Sequence, residues 1–125
     1  MNILLTGGAG YIGSHACLSL IDAGHNITII DNLSNGNKQL IPKKTEFINT
    51  NINDTDTLNN LFQKKSFDVL LHFAGFVQVE ESVKYPEKYF NNNTKNAAIL
   101  FENCFSNGLK NIIFSSSAAA YGNPD

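Results

Sequence analysis

Three glycines at three-residue spacing, Gly7, Gly10 and Gly13, stand in the run Thr6-Gly7-Gly8-Ala9-Gly10-Tyr11-Ile12-Gly13. Between a strand and a helix, glycines so placed allow a tight turn, close approach of the backbone to an anion, and tight helix–sheet packing where a Cβ is missing. The anion that suits such a loop is a pyrophosphate, held by free amides at the positive end of the helix dipole. That route matters here because all nine cationic side chains are lysines. Without arginine there is no guanidinium fork to clamp a phosphate, so backbone amides or lysine must hold it. Asp31 follows Gly13 by 18 residues. A carboxylate at the tip of the second strand accepts hydrogen bonds from ribose hydroxyls and repels a 2′-phosphate. The two signals together read as a dinucleotide site that prefers NAD to NADP. Each has a plainer reading, a simple glycine turn and a turn-capping aspartate, and each plainer reading weakens when the other signal stands beside it.

The remaining polar candidates are weaker. Ser115-Ser116-Ser117 ends an apolar run, where hydroxyls can face a ligand or simply finish a strand. His72 lies inside an apolar run and reads as a packed core histidine. His15 and His25 lie on or beside a helix without an evident partner, and no nucleophile–His–Asp set emerges. Glu80-Glu81 reads as a solvated helix start rather than a carboxylate pair. Cys17 and Cys104, 87 residues apart, show neither redox nor metal spacing and read as buried thiols on helix stripes, so no metal site is expected.

These residues need elements to position them. Short apolar runs at Ile3–Thr6, Ile27–Ile30, Glu46–Asn49, Asp68–Phe73 and Asn111–Phe114 read as strands. Between them, helical periodicity spans Tyr11–Ala23, stopped by Gly24, and Thr55 to about Lys65, capped by Asp54 with Leu58, Leu61 and Phe62 inward. A short helix is expected before Pro42. One long helix is expected from Tyr85-Pro86 to Asn107, with Phe90, Ala97, Leu100, Phe101, Cys104 and Phe105 as its stripe and Gly108 as its stop. Strand–helix alternation of this kind implies parallel strands with right-handed crossovers, an α/β, doubly wound parallel sheet of Rossmann type. Ligands then gather at the carboxyl ends of the strands. The asparagine-rich stretches, 49–60 and 91–93, read as surface and capping bias.

Composition bounds the rest. At 125 residues with 42% hydrophobic content, the chain can bury one core. A formal charge of −2 gives no reason to expect nucleic acid as a partner. No run reaches the roughly 18 apolar residues of a membrane span. The start lacks a basic segment and is cut by Gly7-Gly8, unlike a signal peptide, so a cytoplasmic location is expected.

Taken together, the glycine run extended by Ser14-His15, Asp31-Asn32-Leu33-Ser34-Asn35, His72-Phe73-Ala74-Gly75, Glu81-Ser82-Val83, Asn92-Asn93 and Phe114-Ser115-Ser116-Ser117 resemble the extended short-chain dehydrogenase/reductase family, and within it the UDP-glucose 4-epimerase branch. The resemblance runs from Met1 to Gly122 and matches only the front part of such an enzyme, so residues 1–125 would be an incomplete N-terminal NAD-binding domain without its sugar-nucleotide domain. It implies C4 epimerisation of a UDP-hexose by transient hydride transfer to NAD, in a homodimeric parent. It also implies pyrophosphate contacts from Tyr11 and Ile12, and adenosine contacts from Asp31, Asn32 and Asn35. Asn51 and Ile52 would lie near the adenine, Phe73, Ala74 and Gly75 near adenine and ribose, Asn92 near the nicotinamide half, and Ser115 against the cofactor. Ser117 would be the catalytic serine. Three positions depart from that pattern: Asn51 replaces an acid, Val77 a frequent lysine and Glu80 a common glycine. The Tyr-x-x-x-Lys pair of the family does not occur, because Tyr11, Tyr85, Tyr89 and Tyr121 are followed at the fourth place by His15, Tyr89, Asn93 and Asp125. The chain alone is therefore expected to be inactive. A 4,6-dehydratase or decarboxylase of the same family and a non-catalytic NAD-binding module stay open as alternatives.

Overall fold

The structure, a computed structural model, describes residues 1–122; Asp125, invoked above for Tyr121, lies outside them. Five parallel strands, β1 (Asn2–Thr6), β2 (Asn26–Asp31), β3 (Glu46–Asn49), β4 (Val69–His72) and β5 (Ile112–Phe114), form one sheet in the order β3-β2-β1-β4-β5. This is the doubly wound α/β arrangement expected from the alternation, and the order reverses between β1 and β4. Crevices that bind ligands form at such a reversal.

Each central strand is apolar on both faces because helices cover both. On one face Leu4, Ile30 and Leu70 pack with Leu58 and Leu61 of α2 (Thr55–Lys64) and with Leu100 and Cys104 of a later helix. On the other, Ile3, Leu5, Ile29 and Leu71 pack with Cys17 of α1 (Tyr11–Asp22). Both cysteines are free and buried, and burial pushes their thiols up to about 11 and about 12. They are inert fillers at neutral pH.

Local signals set most boundaries. Gly24, at φ +83°, ends α1 by donating to the Ile21 carbonyl, and Gly108, at φ +85°, ends the last helix in the same way through Phe105. Asp54 caps α2 by accepting from the Thr57 amide at 3.1 Å, and from the hydroxyls of Thr50 and Thr57. Those bonds hold its carboxyl below the usual range, Thr50 first. A single 3₁₀ turn, Lys38–Leu40, is the short helix before Pro42.

The long helix expected from Pro86 runs unbroken to Ser106 but contains a π-helical segment. A separate α3 (Val79–Lys84) precedes it, and the stretch divides into α4 (Pro86–Tyr89), a π-helical segment (Phe90–Lys95) and α5 (Asn96–Ser106). A π turn takes in an extra residue and breaks the phase of the stripe. Of the expected stripe, Ala97, Leu100 and Cys104 are buried, while Phe90, before the phase shift, and Phe105, next to Cys104 on another face of α5, are exposed. At the surface, Asn103 of α5 and Asn107 at its C-cap donate to Thr55 and Asn59 of α2, forming an exposed polar seam between the helices.

The amino end of the sheet is closed by polar links. Asp68 accepts from the Asn2 amide, and Asn26 and Asn111 donate to Asn2 and to the Asp68 carbonyl. Lys65 reaches Thr28 Oγ1 at 2.8 Å and Glu46 Oε2 at 2.9 Å, tying the end of α2 beneath β2 and β3. The carboxyl end carries the loops.

Candidate functional site

The glycine loop leaves β1 through Gly7, whose φ of +76° suits a residue without a Cβ. There is no room for one either: a Cβ would lie 2.6 Å from the Ala74 nitrogen and 2.7 Å from the Phe73 carbonyl carbon. Two of the segments singled out in the sequence, the glycine run and Phe73-Ala74-Gly75, therefore touch. At Gly13 a Cβ would collide with the Gly7 carbonyl, so the start of α1 rests directly on the turn. Gly10 caps α1 without a side-chain bond, and the first helical bond runs from Ser14 to Gly10 at 3.0 Å. The amides of Tyr11, Ile12 and Gly13 find no acceptor among the described residues, and the side chains of Tyr11 and Ile12 are exposed. This is a cradle of donors at a helix N-terminus, shaped by missing Cβ atoms, and it fits a pyrophosphate.

Asp31, only 9% exposed, sits at the end of β2. Its Oδ2 accepts from the Ala9 amide at 3.0 Å and its Oδ1 from the Leu33 amide at 2.8 Å. This carboxylate thus ties β2 to the glycine loop. It further holds Leu33 at φ +59°, the one positive value at a non-glycine position among the described residues. These bonds leave each carboxylate oxygen a second lone pair with which it could accept from a ligand. The loop closes back through Asn37, whose amide donates to the Ala9 carbonyl at 2.9 Å, and Gly36 lies against Ala9 and Asp31. Asn35 is exposed on that loop. Beside it, Asn32 Nδ2 donates to Asn51 Oδ1 at 2.7 Å, bringing two predicted contacts together. Ile52 packs partly into the core.

On the other side of β1, His72 is buried, with Nδ1 2.7 Å from the Thr6 hydroxyl. Its ring stacks on Phe114 and meets Phe101 edge-on, and burial pushes its pKa down to about 4. The core reading of this histidine holds. Neither outlying histidine is solitary, however: His15 meets Tyr11 edge-on and His25 lies 3.3 Å from the terminal amine.

Sequence reasoning missed the clamp that shapes the loop after β4. Asn93 accepts from the Phe76 amide and donates to the Phe76 carbonyl, both at 2.8 Å, and also accepts from Asn92. Above it, Glu81 binds Lys88 at 2.6 Å and the Tyr89 hydroxyl at 2.7 Å, and Tyr89 accepts from the Gln78 amide. The Lys88 bond, then the Tyr89 bond, holds the Glu81 carboxyl below its usual value. Glu81 is therefore a partnered staple between α3 and α4, while Glu80 and Val77 stay exposed. The available signal was three consecutive asparagines inside a helical stretch, because such side chains compete for backbone bonds.

Ser115 continues the β5 ladder by donating its amide to the His72 carbonyl at 3.1 Å. Phe114, Ser115, Ser116, Ser117, Ala120 and Tyr121 line an open depression of about 440 Å³. Most of the sequence-chosen positions therefore lie at the carboxyl ends of the strands or on the loops that leave them; Tyr11, Ile12 and Gly13 open α1, and Asn92 stands in the π-helical segment. Among the described residues no His/Cys/Asp/Glu group could hold a metal, and no helix is long and apolar enough to cross a membrane.

Comparison with known proteins agrees with this geometry. The profile of the "NAD dependent epimerase/dehydratase family" matches residues 3–125. UDP-glucose 4-epimerase of Bacillus subtilis is 41% identical over 132 residues, covering 100% of this chain and 39% of the relative. UDP-arabinose 4-epimerase 1 of Arabidopsis thaliana is 41% identical over 133 residues, covering 99% and 32%. Among solved structures, the UDP-glucose-4-epimerase of Stenotrophomonas maltophila, with bound NAD and formylated UDP-arabinopyranose, superposes with a TM-score of 0.91 at 39% identity, covering 100% of this chain and 39% of that one. The chain spans 32–39% of the length of these relatives.

Proposed function

As the chain belongs to the NAD dependent epimerase/dehydratase family, we propose that it is the cofactor-binding part of a UDP-sugar 4-epimerase that works with NAD. The observation that carries this is the Gly7–Gly13 cradle tied by the Ala9 amide to the buried carboxylate of Asp31. Free amides and a buried carboxylate share this one turn, which supports reading it as the seat of a pyrophosphate and a ribose. The solved relative with bound NAD supports the same choice of cofactor. Bound there, NAD would take a hydride from the sugar C4 and return it on the other face.

The chain's own residues bind and orient. The amides of Tyr11 and Ile12, freed by Gly7, Gly10 and Gly13, would hold the pyrophosphate. Asp31 would accept from the adenosine ribose, with Asn32, Asn35, Asn51 and Ile52 along the base. Phe73, Ala74, Gly75, Asn92 and Ser115 would line the way to the nicotinamide. Ser117 would hydrogen-bond the sugar 4-hydroxyl. Proton removal needs a base that no tyrosine here supplies with a lysine four residues on, so we assign it to a residue outside these 125. The relatives act on UDP-glucose or UDP-arabinose by name, and the sugar is the part of the reading that substrate assays decide.

Titrating NAD and NADP into the full natural chain tests the assignment. NAD should bind more tightly, because a 2′-phosphate would meet the Asp31 carboxylate without a cation beside it. Equal or tighter NADP binding would sink it. Interconversion of UDP-glucose or UDP-arabinose with its C4 epimer then separates the epimerase from a binding module.

A further inference from the structure

We propose that Asn51, fixed by Asn32, lets this site take a dinucleotide with a 6-oxopurine base about as readily as one with adenine. The inference rests on reading the strand ends as the dinucleotide site. Asn32 follows Asp31 directly, and Asn51 stands two residues beyond the end of β3, the strand next to β2. With the pyrophosphate over α1 and the ribose at Asp31, the base must extend away from the glycine loop, past β2 toward β3. The Asn32–Asn51 pair is the polar rim it meets there.

The polarity of that rim is set by the chain. The Ser34 amide donates to Asn32 Oδ1 at 2.9 Å. The other end of the same amide, Nδ2, therefore faces Asn51 and donates to its Oδ1 at 2.7 Å. The oxygen of Asn51 is turned toward Asn32, and its Nδ2 is turned outward. Asn51 is exposed, and no described residue accepts from that nitrogen. What the rim offers a base is an N–H donor. Adenine can meet a donor with its ring N1, and a 6-oxopurine can meet it with its carbonyl oxygen. An acceptor in the same place would pair with the amino group of adenine and repel the oxo group. A donor removes that discrimination.

The test compares NAD with nicotinamide hypoxanthine dinucleotide by calorimetric titration of the full natural chain, then of its Asn51→Asp variant. The unsubstituted chain should bind the two within about threefold of each other, and Asn51→Asp should shift the ratio about tenfold or more toward NAD. NAD binding with a tenfold or larger preference over the hypoxanthine form in the unsubstituted chain would overturn the inference and leave the cofactor reading intact. So would an Asn51→Asp variant that weakens both ligands equally, the mark of a structural role. Failure of both ligands to bind would overturn the site itself.

Discussion

His72 keeps its imidazole neutral where a free histidine titrates, because burial between Phe101, Phe114 and the Thr6 hydroxyl pushes its pKa from 6.5 to about 4. The unfolded chain therefore binds a proton that the folded chain refuses. Stability is fully present above pH 6.5 and falls as the pH drops toward 4, by about 3 kcal/mol at about 1.4 kcal/mol per unit. The carboxylates held below their ordinary values, Glu46, Asp54 and Glu81, lose their contribution only at lower pH, so the upper part of that window belongs to His72. Urea midpoints measured from pH 7 to pH 4 should fall across it, and a flat profile would show the ring charged in the fold. Just beyond β5, at the same end of the sheet as His72, Ser117→Ala in a catalytically complete chain should lower kcat far more than it raises KM, if its hydroxyl bonds the reacting oxygen more strongly in the transition state as proposed. A change confined to KM would make Ser117 a binding residue. Single residues were legible where one chemical demand decides their type. Gly7 and Gly13 could be found because a turn and a close approach each admit few side chains. The grip of Asp31 on the glycine loop was invisible because it depends on which amide happens to face it.

Asn93 works on a larger scale than its own contacts, since its amide joins the π segment to the backbone of the β4–α3 loop at Phe76. Asn93→Ala should cost about 1–3 kcal/mol for the two lost bonds and the backbone groups left unpaired. Asn93→Asp should not rescue it, because a carboxylate accepts from the Phe76 amide but repels its carbonyl. Chemical denaturation of the three proteins, with hydrogen exchange at Phe76, checks both expectations. At the opposite end of the crevice, Gly13→Ala should force α1 off the Gly7 carbonyl and weaken dinucleotide binding together with the melting temperature. Retained affinity would show that the turn yields. The elements themselves were readable wherever their limits are local: Gly24, Gly108 and Asp54 stop or start a helix by their own conformation or side chain. The start of α4 was readable too, from Pro86. The separate α3 and the π segment were not, because they go with contacts among Phe76, Glu81, Lys88, Tyr89 and Asn93 that no periodicity of the helix alone encodes.

For the molecule as a whole, strand–helix alternation and handedness pointed to a doubly wound parallel sheet, and the sheet, ordered β3-β2-β1-β4-β5, is of that kind. The alternation is silent on how well the outermost strand is covered. Among the described residues β5 pairs only with β4, and its Ile113 and Phe114 are 59% and 57% exposed. An apolar open edge recruits further strands from other chains. Residues 1–125 expressed alone should associate with rising concentration and show no epimerase turnover. Ile113→Lys should suppress the association without restoring activity. Light scattering over a concentration series and a UDP-sugar assay are the measurements; a concentration-independent cooperative melt with turnover would contradict both halves.

The link of Lys65 to Thr28 and Glu46 lies under the sheet, at the end away from every loop that faces the crevice. Tolerance to change is therefore unevenly distributed along the strand axis. Substitutions randomised at Asn32–Asn35, at Asn51 and Ile52 and at Ser115–Ser117 alter exposed or half-buried loop positions and leave the anchoring end untouched. The same number spread over Asn2, Thr28, Glu46, Lys65 and Asp68 would break the links that close the sheet. A library meant to vary ligand choice can thus be drawn entirely from one end of the molecule, with the other end left as its fixed foundation.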